Sequence, residues 1–419
     1  MLVDDAVLPA AAHLTGSGAR HVLQAAVSAA GGRLDGARAC QLQYRPGHDV
    51  VVRFDGRVRW GDREAVEETL LAATTAGGPP AGTLPVEAVT SDGSTLRVGV
   101  WRWPFDPLLP GLQDAVTPSS CATFLHGLAA GPLALAVVAY RPTQRAVVRA
   151  TGADGVVYVK VLPPAQVGSL VQRHERLVAA GVQVPPILRH DAARGLVAMA
   201  ELAGPTIRDR LRSGRGPLPE PHEYDAVFAG FAATELGGPV VPGRAATGIR
   251  HAAMLATVLP SERGRLDDLI GHLEVAAAHA AERSGPTIHG DLYEAQLVTG
   301  RGRHRAGAIT GVLDLDDTGR GDPLDDRATV LAHLVERALA TGGANGQRIA
   351  RYAGELRRAF ATQVDRRELD LVVAGALTGL ATGPFRMQRP RWGRAVRRRL
   401  TIAARLAAAP GERTLRIRS

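Results

Sequence analysis

Three oxygen-bearing side chains, Asp291, Gln296 and Asp314, lie in a stretch that reads IHGDLYEAQLVTGRGRHRAGAITGVLDLDDTGRGDPLDD from Ile288 to Asp326. A hard divalent cation such as Mg²⁺ takes oxygen ligands, and it usually binds through one or two carboxylates together with the phosphates of a substrate. Gathered at one point, these groups would therefore suit phosphoryl transfer. Asp291 and Asp314 are 23 residues apart (314 − 291), so the chain between them must fold back on itself. Two apolar runs predict how. LVT after Gln296 and AITGVLDL ending at Leu315 flank a Gly/Arg-rich connection and read as the strands of a β-hairpin, which would bring its acidic ends together.

HGDLYEAQ followed by GVLDLDDTGRGDPLDD resembles the catalytic core of the aminoglycoside phosphotransferase and kinase-like family. The family pattern is HGD, four residues, then Asn, and later a strand ending in the metal-binding Asp, a GDP element and another Asp. Matched position by position, the resemblance implies Asp291 as catalytic base, Asp314 as principal metal ligand, Asp322 and Asp326 as supports, and His289 as a brace for the loop. Gln296 stands where most members have Asn. It keeps an amide oxygen on a longer arm, and maltokinases and similar sugar kinases carry Gln there. A rival pattern overlaps the same residues, because Asp314, Asp316 and Thr318 spell DxDxT after an apolar strand, as in phosphatases whose first Asp is a covalent nucleophile. Those enzymes place the motif at the start of a doubly wound domain, and HGD at the right distance upstream belongs to the kinase pattern.

The element order has to position these groups. Residues 1 to about 32 are helical in pattern, with Ser17 as an N-cap and Gly31-Gly32 as a stop. A strand pair, CQLQYRPGHDVVVRF, follows, and its phrase recurs as VVAYRPTQRAVVRA. Aligned on Tyr44-Arg45-Pro46 and Tyr140-Arg141-Pro142, both copies continue with a strand, an amphipathic helix, a double-Pro stop (Pro79-Pro80, Pro185-Pro186) and further strands. This reads as an internal duplication of one β-rich lobe, with WRWPFDPLLPGL as the Pro-rich linker.

The copies differ where chemistry is expected. GVVYVKVL puts Lys160 inside an apolar strand, whereas FDGRVRWGD offers Arg59 and Trp60 but no lysine. A lysine there needs a partner or a ligand. Helix 165 to 180 supplies Glu175, placed by its spacing from Val171 on the face of Val167, Leu170 and Val178. In the kinase-like fold a strand Lys pairs with a helix Glu and holds the nucleotide's phosphates; the resemblance gives Lys160 and Glu175 those roles, and makes Glu201 and Ala203 the hinge that hydrogen-bonds adenine. Thr143 and Arg145 sit where a phosphate-covering loop would lie; with no glycine there, they either contact phosphate by side chain or form only a hairpin turn. From Thr206 to His279, Ala328 to Ala340 and Arg348 to Ala376 the pattern is helical.

Composition narrows the setting. Two cysteines, Cys40 and Cys121, exclude a disulfide framework and point to a reducing cytoplasm. Asp4 and Asp5 oppose a signal peptide, and no apolar run is long enough to span a bilayer. The net charge of +9 resides in the tail, since eleven arginines and one acid, Glu412, fall between Arg386 and Ser419 and leave the rest near −1 (9 − 10). Trp392, Val396, Leu400 and Ala403 form an apolar stripe, which reads as a helix packed on its own protein and not as a nucleic-acid reader, for no aromatic platform accompanies it.

The expectation is thus an α+β, bilobal protein-kinase-like fold with a β-rich N-lobe and a helical C-lobe, preceded by an extra, duplicated N-terminal lobe. Its divisions are 1–130 (cap), 131–204 (N-lobe and hinge), 205–385 (helical C-lobe) and 386–419 (Arg-rich tail). The resemblance, which spans roughly 131 to 380, implies ATP and Mg²⁺ as cofactors and the hydroxyl of a small molecule as acceptor: a sugar, amino sugar or aminoglycoside. Asp316, Asp317 and Glu294 argue for a neutral or cationic acceptor, with Asp316 expected to point the same way as Asp314 along the strand. The alternative class is a non-catalytic kinase-like binding protein using the duplicated lobe and the tail.

Overall fold

The computed structural model describes residues 5–89, 95–301 and 307–410. Asp4, the Gly/Arg-rich connection at 302–306 and the end of the tail, with Glu412 and three of its arginines, lie outside the described residues. The chain divides into two compact units. The first comprises residues up to Gly168 with Ile187–Ala200 and Pro384–Trp392; the second comprises Ser169–Pro186, Glu201–Gly383 and the chain from Gly393.

The first unit contains one architecture twice. Helices α1 (Ala10–Thr15) and α2 (Ala19–Ala29) precede strands β1 (Gly32–Arg45), β2 (Asp49–Trp60), β3 (Val66–Thr75), β4 (Leu84–Val89) and β5 (Thr95–Arg102). Helices α3 (Leu112–Val116) and α4 (Pro118–Phe124) then precede β6 (Ala134–Arg141), β7 (Arg145–Gly152), β8 (Gly155–Val161), β9 (Ile187–Asp191) and β10 (Leu196–Ala200), with α5 (Pro164–Ala179) between β8 and β9, its residues from Ser169 belonging to the second unit. Both sheets are five-stranded and antiparallel, in the orders β1-β2-β3-β5-β4 and β6-β7-β8-β10-β9, so the strands correspond one to one. Alternation fills the second core: Val157, Val159 and Val161 of β8 face Leu109, Leu112 and Phe124 of the helical cover. Lys160, next along β8, therefore belongs to the other face, and is only 3% exposed.

Two expectations change here. The first copy has no helix between its third and fourth strands; VEETLLAATT is strand β3, paired with β2 from Val58↔Val66 to Asp49↔Thr75. Leu70 to Ala73 are all buried, and a short apolar run covered on both faces cannot be distinguished from a buried helix by periodicity. Only the second copy carries a helix in that crossover. The second change follows from register. Tyr44 pairs with Val50 as Tyr140 pairs with Ala146, so Val51 corresponds to Val147, and their partners Ala73 and Lys160 correspond in turn. The counterpart of Lys160 is thus Ala73, not a residue near Arg59 and Trp60, and Ala73 lies in a core of Val51, Leu71 and Trp101 against which Tyr140 packs.

The duplication also begins earlier than the YRP phrase. Asp5 accepts from the Tyr44 hydroxyl at 2.8 Å and the Gly47 amide at 2.9 Å. Asp106 accepts from the Tyr140 hydroxyl at 2.7 Å and the Thr143 amide at 2.8 Å. Each aspartate opens a turn ahead of its helices, in Asp5-Ala-Val-Leu-Pro and Asp106-Pro-Leu-Leu-Pro, so the supposed linker is largely the start of the second copy. Gly47 and Thr143 both adopt positive φ, 69° and 63°, which the turn geometry imposes on a β-branched residue in the second copy. Burial raises the Asp106 carboxyl above its usual range against the Thr143 and Tyr140 bonds; at the more open Asp5 the hydrogen bonds outweigh burial and lower it.

The second unit is mostly helical: α6 (Ile207–Ser213), α7 (Pro221–Ala232), α8 (Arg244–Val258), α9 (Arg263–Arg283), α10 (Pro323–Thr341), α11 (Gly343–Phe360) and α12 (Arg366–Ala381). Between α9 and α10 run short strands β11 (Thr287–Ile288), β12 (Leu297–Thr299), β13 (Ile309–Val312) and β14 (Gly319–Arg320). The span expected as one helix from Arg348 to Ala376 is two, because Asp365 caps the Glu368 amide at 2.9 Å and starts α12. Gly248 and Gly375 let α8 and α12 cross closely: a Cβ on Gly248 would lie 2.7 Å from the Gly375 Cα. After α13 (Gly383–Arg386), α14 (Trp392–Ala408) buries Val396, Leu400 and Ala403, and pairs Arg399 with Glu336 and Arg397 with Glu262. That is the packed helix expected of the basic tail. Among the described residues no helix is long and apolar enough to cross a membrane.

Removing the buried Asp106 leaves the half-buried Tyr140 hydroxyl and Thr143 amide without their acceptor, at about 1–3 kcal/mol for each unsatisfied group. Asp106→Ala is expected to lower the melting temperature more than Asp5→Ala, because Asp106 is buried whereas Asp5 is only partly so and water can replace it. Equal shifts in thermal unfolding would refute this ranking.

Candidate active site

Two antiparallel strand pairs build the site. β11 pairs with β14 and β12 with β13, so loop 289–296 and loop 313–318, which connect them, are held side by side. The Leu313 amide donates to the Gln296 carbonyl at 2.8 Å, the Gln296 side-chain amide to Asp314 Oδ2 at 3.3 Å, and the Thr318 hydroxyl to the His289 carbonyl at 3.2 Å. Gly290, at φ 83°, is the point of closest approach, where a Cβ would overlap the Asp317 carbonyl oxygen. Only glycine fits there. The hairpin itself is pinned from α6, since Arg210 reaches Thr299 Oγ1 at 2.6 Å and the Gly300 carbonyl at 2.7 Å.

The second strand is shorter than expected. β13 ends at Val312, and Asp314 has φ 59°, in the left-handed region. Strand alternation therefore does not carry through Asp314, and the expectation that Asp316 points the same way loses its basis. The left-handed turn aims Asp314 back at Gln296. It also separates the site from the DxDxT alternative, for every sheet among the described residues is antiparallel and none is doubly wound.

Buried acids at the start of α10 hold the HGD loop. Asp326 accepts from the amides of His289 at 2.8 Å and Gly290 at 2.9 Å. His289 Nδ1 accepts from the Asp291 amide at 3.2 Å, so its proton is on Nε2, which donates to the Leu313 carbonyl at 2.8 Å. This occupies both ring nitrogens, and His289 is a brace. Asp322 caps α10 through the Leu324 amide at 3.0 Å and pairs with Arg283 at 2.7 Å. Burial raises the Asp326 carboxyl, opposed by His289 and the two amides.

Arg244 and Asp325 also serve the site, although no sequence pattern singles them out. Arg244, the first residue of α8, donates to Asp291 Oδ1 at 2.9 Å and also to the Gly290 carbonyl, while its own amide donates to Asp325 Oδ1 at 2.8 Å. Its place follows from the α8–α12 crossing, where a Cβ on Gly375 would lie 2.7 Å from the Arg244 carbonyl oxygen. Burial pushes the Asp325 carboxyl up to about 7, opposed by Arg244 and reinforced by Asp322 and Asp326.

Glu294 departs most from its expected role. It is 2% exposed, and its Oε1 accepts from Arg208 Nε at 3.1 Å and Arg337 Nη2 at 3.1 Å. The Arg208 guanidinium lies 5.2 Å from the Tyr293 ring centroid, and Tyr293 stacks on His333 at 4.1 Å. Glu294 is therefore an internal counterion and adds no acidity toward an acceptor. In HGDLYEAQ its charge gave no sign of this, because both arginines come from distant helices.

The remaining expected residues are distributed over the two units. In the first, Lys160 is buried mid-strand, Thr143 uses its amide on Asp106 and its hydroxyl on the Pro142 carbonyl at 2.6 Å, and Arg145 pairs with Arg141 across the hairpin end. In the second are Glu175, Glu201 and Ala203. The buried face of α5 is Val167, Leu170, His174 and Leu177, so Glu175 lies on the exposed flank with Val178 and not on the apolar face. Glu201 and Ala203 are exposed on either side of Leu202, which packs against Gly311 of β13.

Asp314 offers a carboxylate, and Gln296, whose amide NH₂ here donates to it, would add its amide oxygen to a hard donor set suited to Mg²⁺ once that amide is turned over. No group of three His, Cys, Asp or Glu among the described residues forms a complete metal cage, so water and phosphate oxygens would have to supply the other ligands.

No protein-family model matches the chain, and no curated protein matches it. Solved structures resemble it at a distance. The aminoglycoside phosphotransferase APH(3'')-Id from Streptomyces rimosus is 19% identical over 61% of this chain and 98% of its own, with a TM-score of 0.42. A thermostable mutant of aminoglycoside phosphotransferase APH(4)-Ia is 18% identical over 66% and 95%, with a TM-score of 0.45. A choline/ethanolamine kinase family protein from Mesorhizobium loti is 17% identical over 71% and 93%, with a TM-score of 0.47.

Asp325 sets a pH dependence of stability. Its folded pKa, about 7, lies above the ordinary carboxylate value, so its contribution is full below pH ~4 and is lost as pH rises through 7. Asp325→Asn keeps an acceptor for the Arg244 amide and removes the titration. Urea midpoints measured from pH 5 to 8 should fall less steeply in this variant than in the parent; parallel curves would exclude the effect.

Proposed function

We propose that this chain is a cytoplasmic ATP-dependent phosphotransferase of the aminoglycoside phosphotransferase and kinase-like family, acting on a hydroxyl of a small molecule. The observation that carries this reading is the locked pair of loops, in which Asp291 and the Asp314–Gln296 pair stand on neighbouring turns. Asp291 orients the acceptor hydroxyl through Oδ2 and takes its proton, while Arg244 holds Oδ1. Asp314 and Gln296 would hold Mg²⁺, which when bound would supply charge neutralisation for the transferring phosphoryl group. Lys160 holds the nucleotide's phosphates and the backbone at Glu201 and Ala203 takes the base, while Glu175, on the exposed flank of α5, is left without the lysine-orienting role expected of it. Thr143 serves as a turn residue, which leaves Arg145 as the side chain of that hairpin able to meet phosphate. Because the transition state is loose, positioning and charge neutralisation supply most of the acceleration. A sugar-like acceptor suits a site that places one hydroxyl at a carboxylate. Nucleic acid is not a partner in this reading, since the basic tail helix packs on its own chain.

Turnover of Mg²⁺-ATP with and without candidate acceptors tests the assignment. Asp291→Asn should reduce it by ~10²-fold or more, the scale of a positioned base, with little change in nucleotide affinity; near-parental turnover would remove Asp291 from the role. Asp314→Asn should weaken Mg²⁺-ATP binding, with no phosphoryl group ever trapped on Asp314. Trapping one would restore the phosphatase alternative. Since Ala73 replaces the strand lysine in the first copy, calorimetry should return one nucleotide per chain, lost in Lys160→Ala. Two sites, or one indifferent to Lys160, would contradict this.

A further inference from the structure

Beside Asp291 stands a basic, aromatic shelf that the HGD motif does not require. Arg208 from α6 and Arg337 from α10 converge on one oxygen of the buried Glu294, through Arg208 Nε and through Arg337 Nε and Nη2. Among the described residues, both Nη groups of Arg208 and Nη1 of Arg337 have no protein acceptor. The two side chains remain 33% and 27% exposed, so these donors are reachable from solvent. Their planes are fixed in advance: Glu294 anchors each guanidinium, and Arg208 lies on Tyr293, which is stacked on His333.

The shelf adjoins the reacting groups. Burial first, then Arg244 and Arg208, lower the His333 pKa, against the pull of Glu294 and Asp291. The Tyr293 phenol is raised by burial first and then by Asp291, Glu294 and Asp314. Among the groups in direct ion-pair contact, Arg208, Arg244 and Arg337 against Asp291 and Glu294 leave +1 (3 − 2) with His333 neutral, and Asp314 acts on Tyr293 from the facing loop. The neighbouring acids belong to the other loop. Asp314 is engaged by Gln296, and Arg173 donates to the carbonyls of Asp316 at 2.7 Å and Thr318 at 3.2 Å beside the Asp316 and Asp317 carboxylates.

We propose that the phosphoryl acceptor bears an oxyanion, a carboxylate or a phosphate, gripped by the Nη groups of Arg208 and Arg337 while its hydroxyl meets Asp291. Guanidinium donors in a fixed fork suit carboxylate and phosphate oxygens, and their hydrogen bonds are charge-assisted. A cationic acceptor would meet the same guanidinium groups with repulsion. The proposal rests on the phosphotransferase reading and narrows its acceptor from sugars in general to acidic ones.

Matched acceptors test it by calorimetry on the full-length protein, with and without Mg²⁺-ADP: gluconate against sorbitol, glucose 6-phosphate against glucose, and glucosamine as the cation. At least one anion is expected to bind ~10-fold or more tighter than its neutral counterpart, the scale of a charge-assisted bond, and glucosamine weaker than glucose. The gluconate and phosphate arms separate the two sources of the oxyanion. Arg337→Gln, and the charge-balanced pair Arg208→Gln with Glu294→Gln, should abolish that preference while the neutral ligand is unaffected. Arg337→Lys, which keeps the charge and loses the fork, should retain part of it. Neutral or cationic ligands binding as well as the anions, or no anion binding at all, would overturn the proposal. Asp291-dependent ATP hydrolysis is read in parallel, so that an enzyme which hydrolyses ATP yet ignores anions defeats this inference alone.

Discussion

The Asp326 carboxylate, buried at the head of α10, is the constraint from which the site is built. A buried carboxylate is costly unless its oxygens are satisfied, and here each takes one backbone amide of the HGD loop, those of His289 and Gly290. The loop is thereby fixed to a helix. His289 can then present Nδ1 to the Asp291 amide and Nε2–H to the Leu313 carbonyl, which ties the first loop to the second and sets the distance between Asp291 and Asp314. If Asp326 lost its partners, every later contact in this series would lose its reference point.

Arginine does most of the remaining electrostatic work. Arg244 holds Asp291 and Arg283 holds Asp322. Arg208 and Arg337 share Glu294, and Arg357 meets the buried Asp370 at 2.7 Å. A guanidinium stays charged in a partly dry site and offers several donors in one plane, so a single arginine can satisfy a carboxylate and a backbone carbonyl together, as Arg244 does with Asp291 and Gly290. The net basicity of the chain therefore reflects structural counterions in part, including the tail helix paired with Glu262 and Glu336.

The duplicated sheets show how one scaffold diverges at a few positions. Strand order and the Asp–Tyr–turn clasp are retained in both copies. The lysine position is not: the equivalent of Lys160 is Ala73, inside a packed apolar cluster that Tyr140 helps to close. A small apolar residue lets that face of the first sheet serve as a packing surface. The same face of the second sheet keeps a charge that only a partner or a ligand can satisfy.

Much of this was legible in the sequence, and the limit has a physical cause. HGD, the Gln296 offset and the acid after the second apolar run are local in the chain, and a hairpin brings its ends together whatever surrounds it, so Asp291, Gln296 and Asp314 could be paired from spacing alone. The YRP phrase disclosed the duplication because like sequences fold alike. What sequence left open were contacts made by residues far apart: Arg244 on Asp291, Arg208 and Arg337 on Glu294, and the strand identity of Val66–Thr75. A charge written in the chain has a sign and no neighbour, so Glu294 read as acidity facing an acceptor until tertiary packing supplied its counterions. Likewise Leu70 to Ala73 read as part of a helix, and sheet pairing made them a strand, because a short apolar run does not settle the choice by periodicity. The sequence determined which groups can do chemistry; tertiary structure decided which of them face outward and with what net charge, because burial and pairing belong to the fold and not to any one segment.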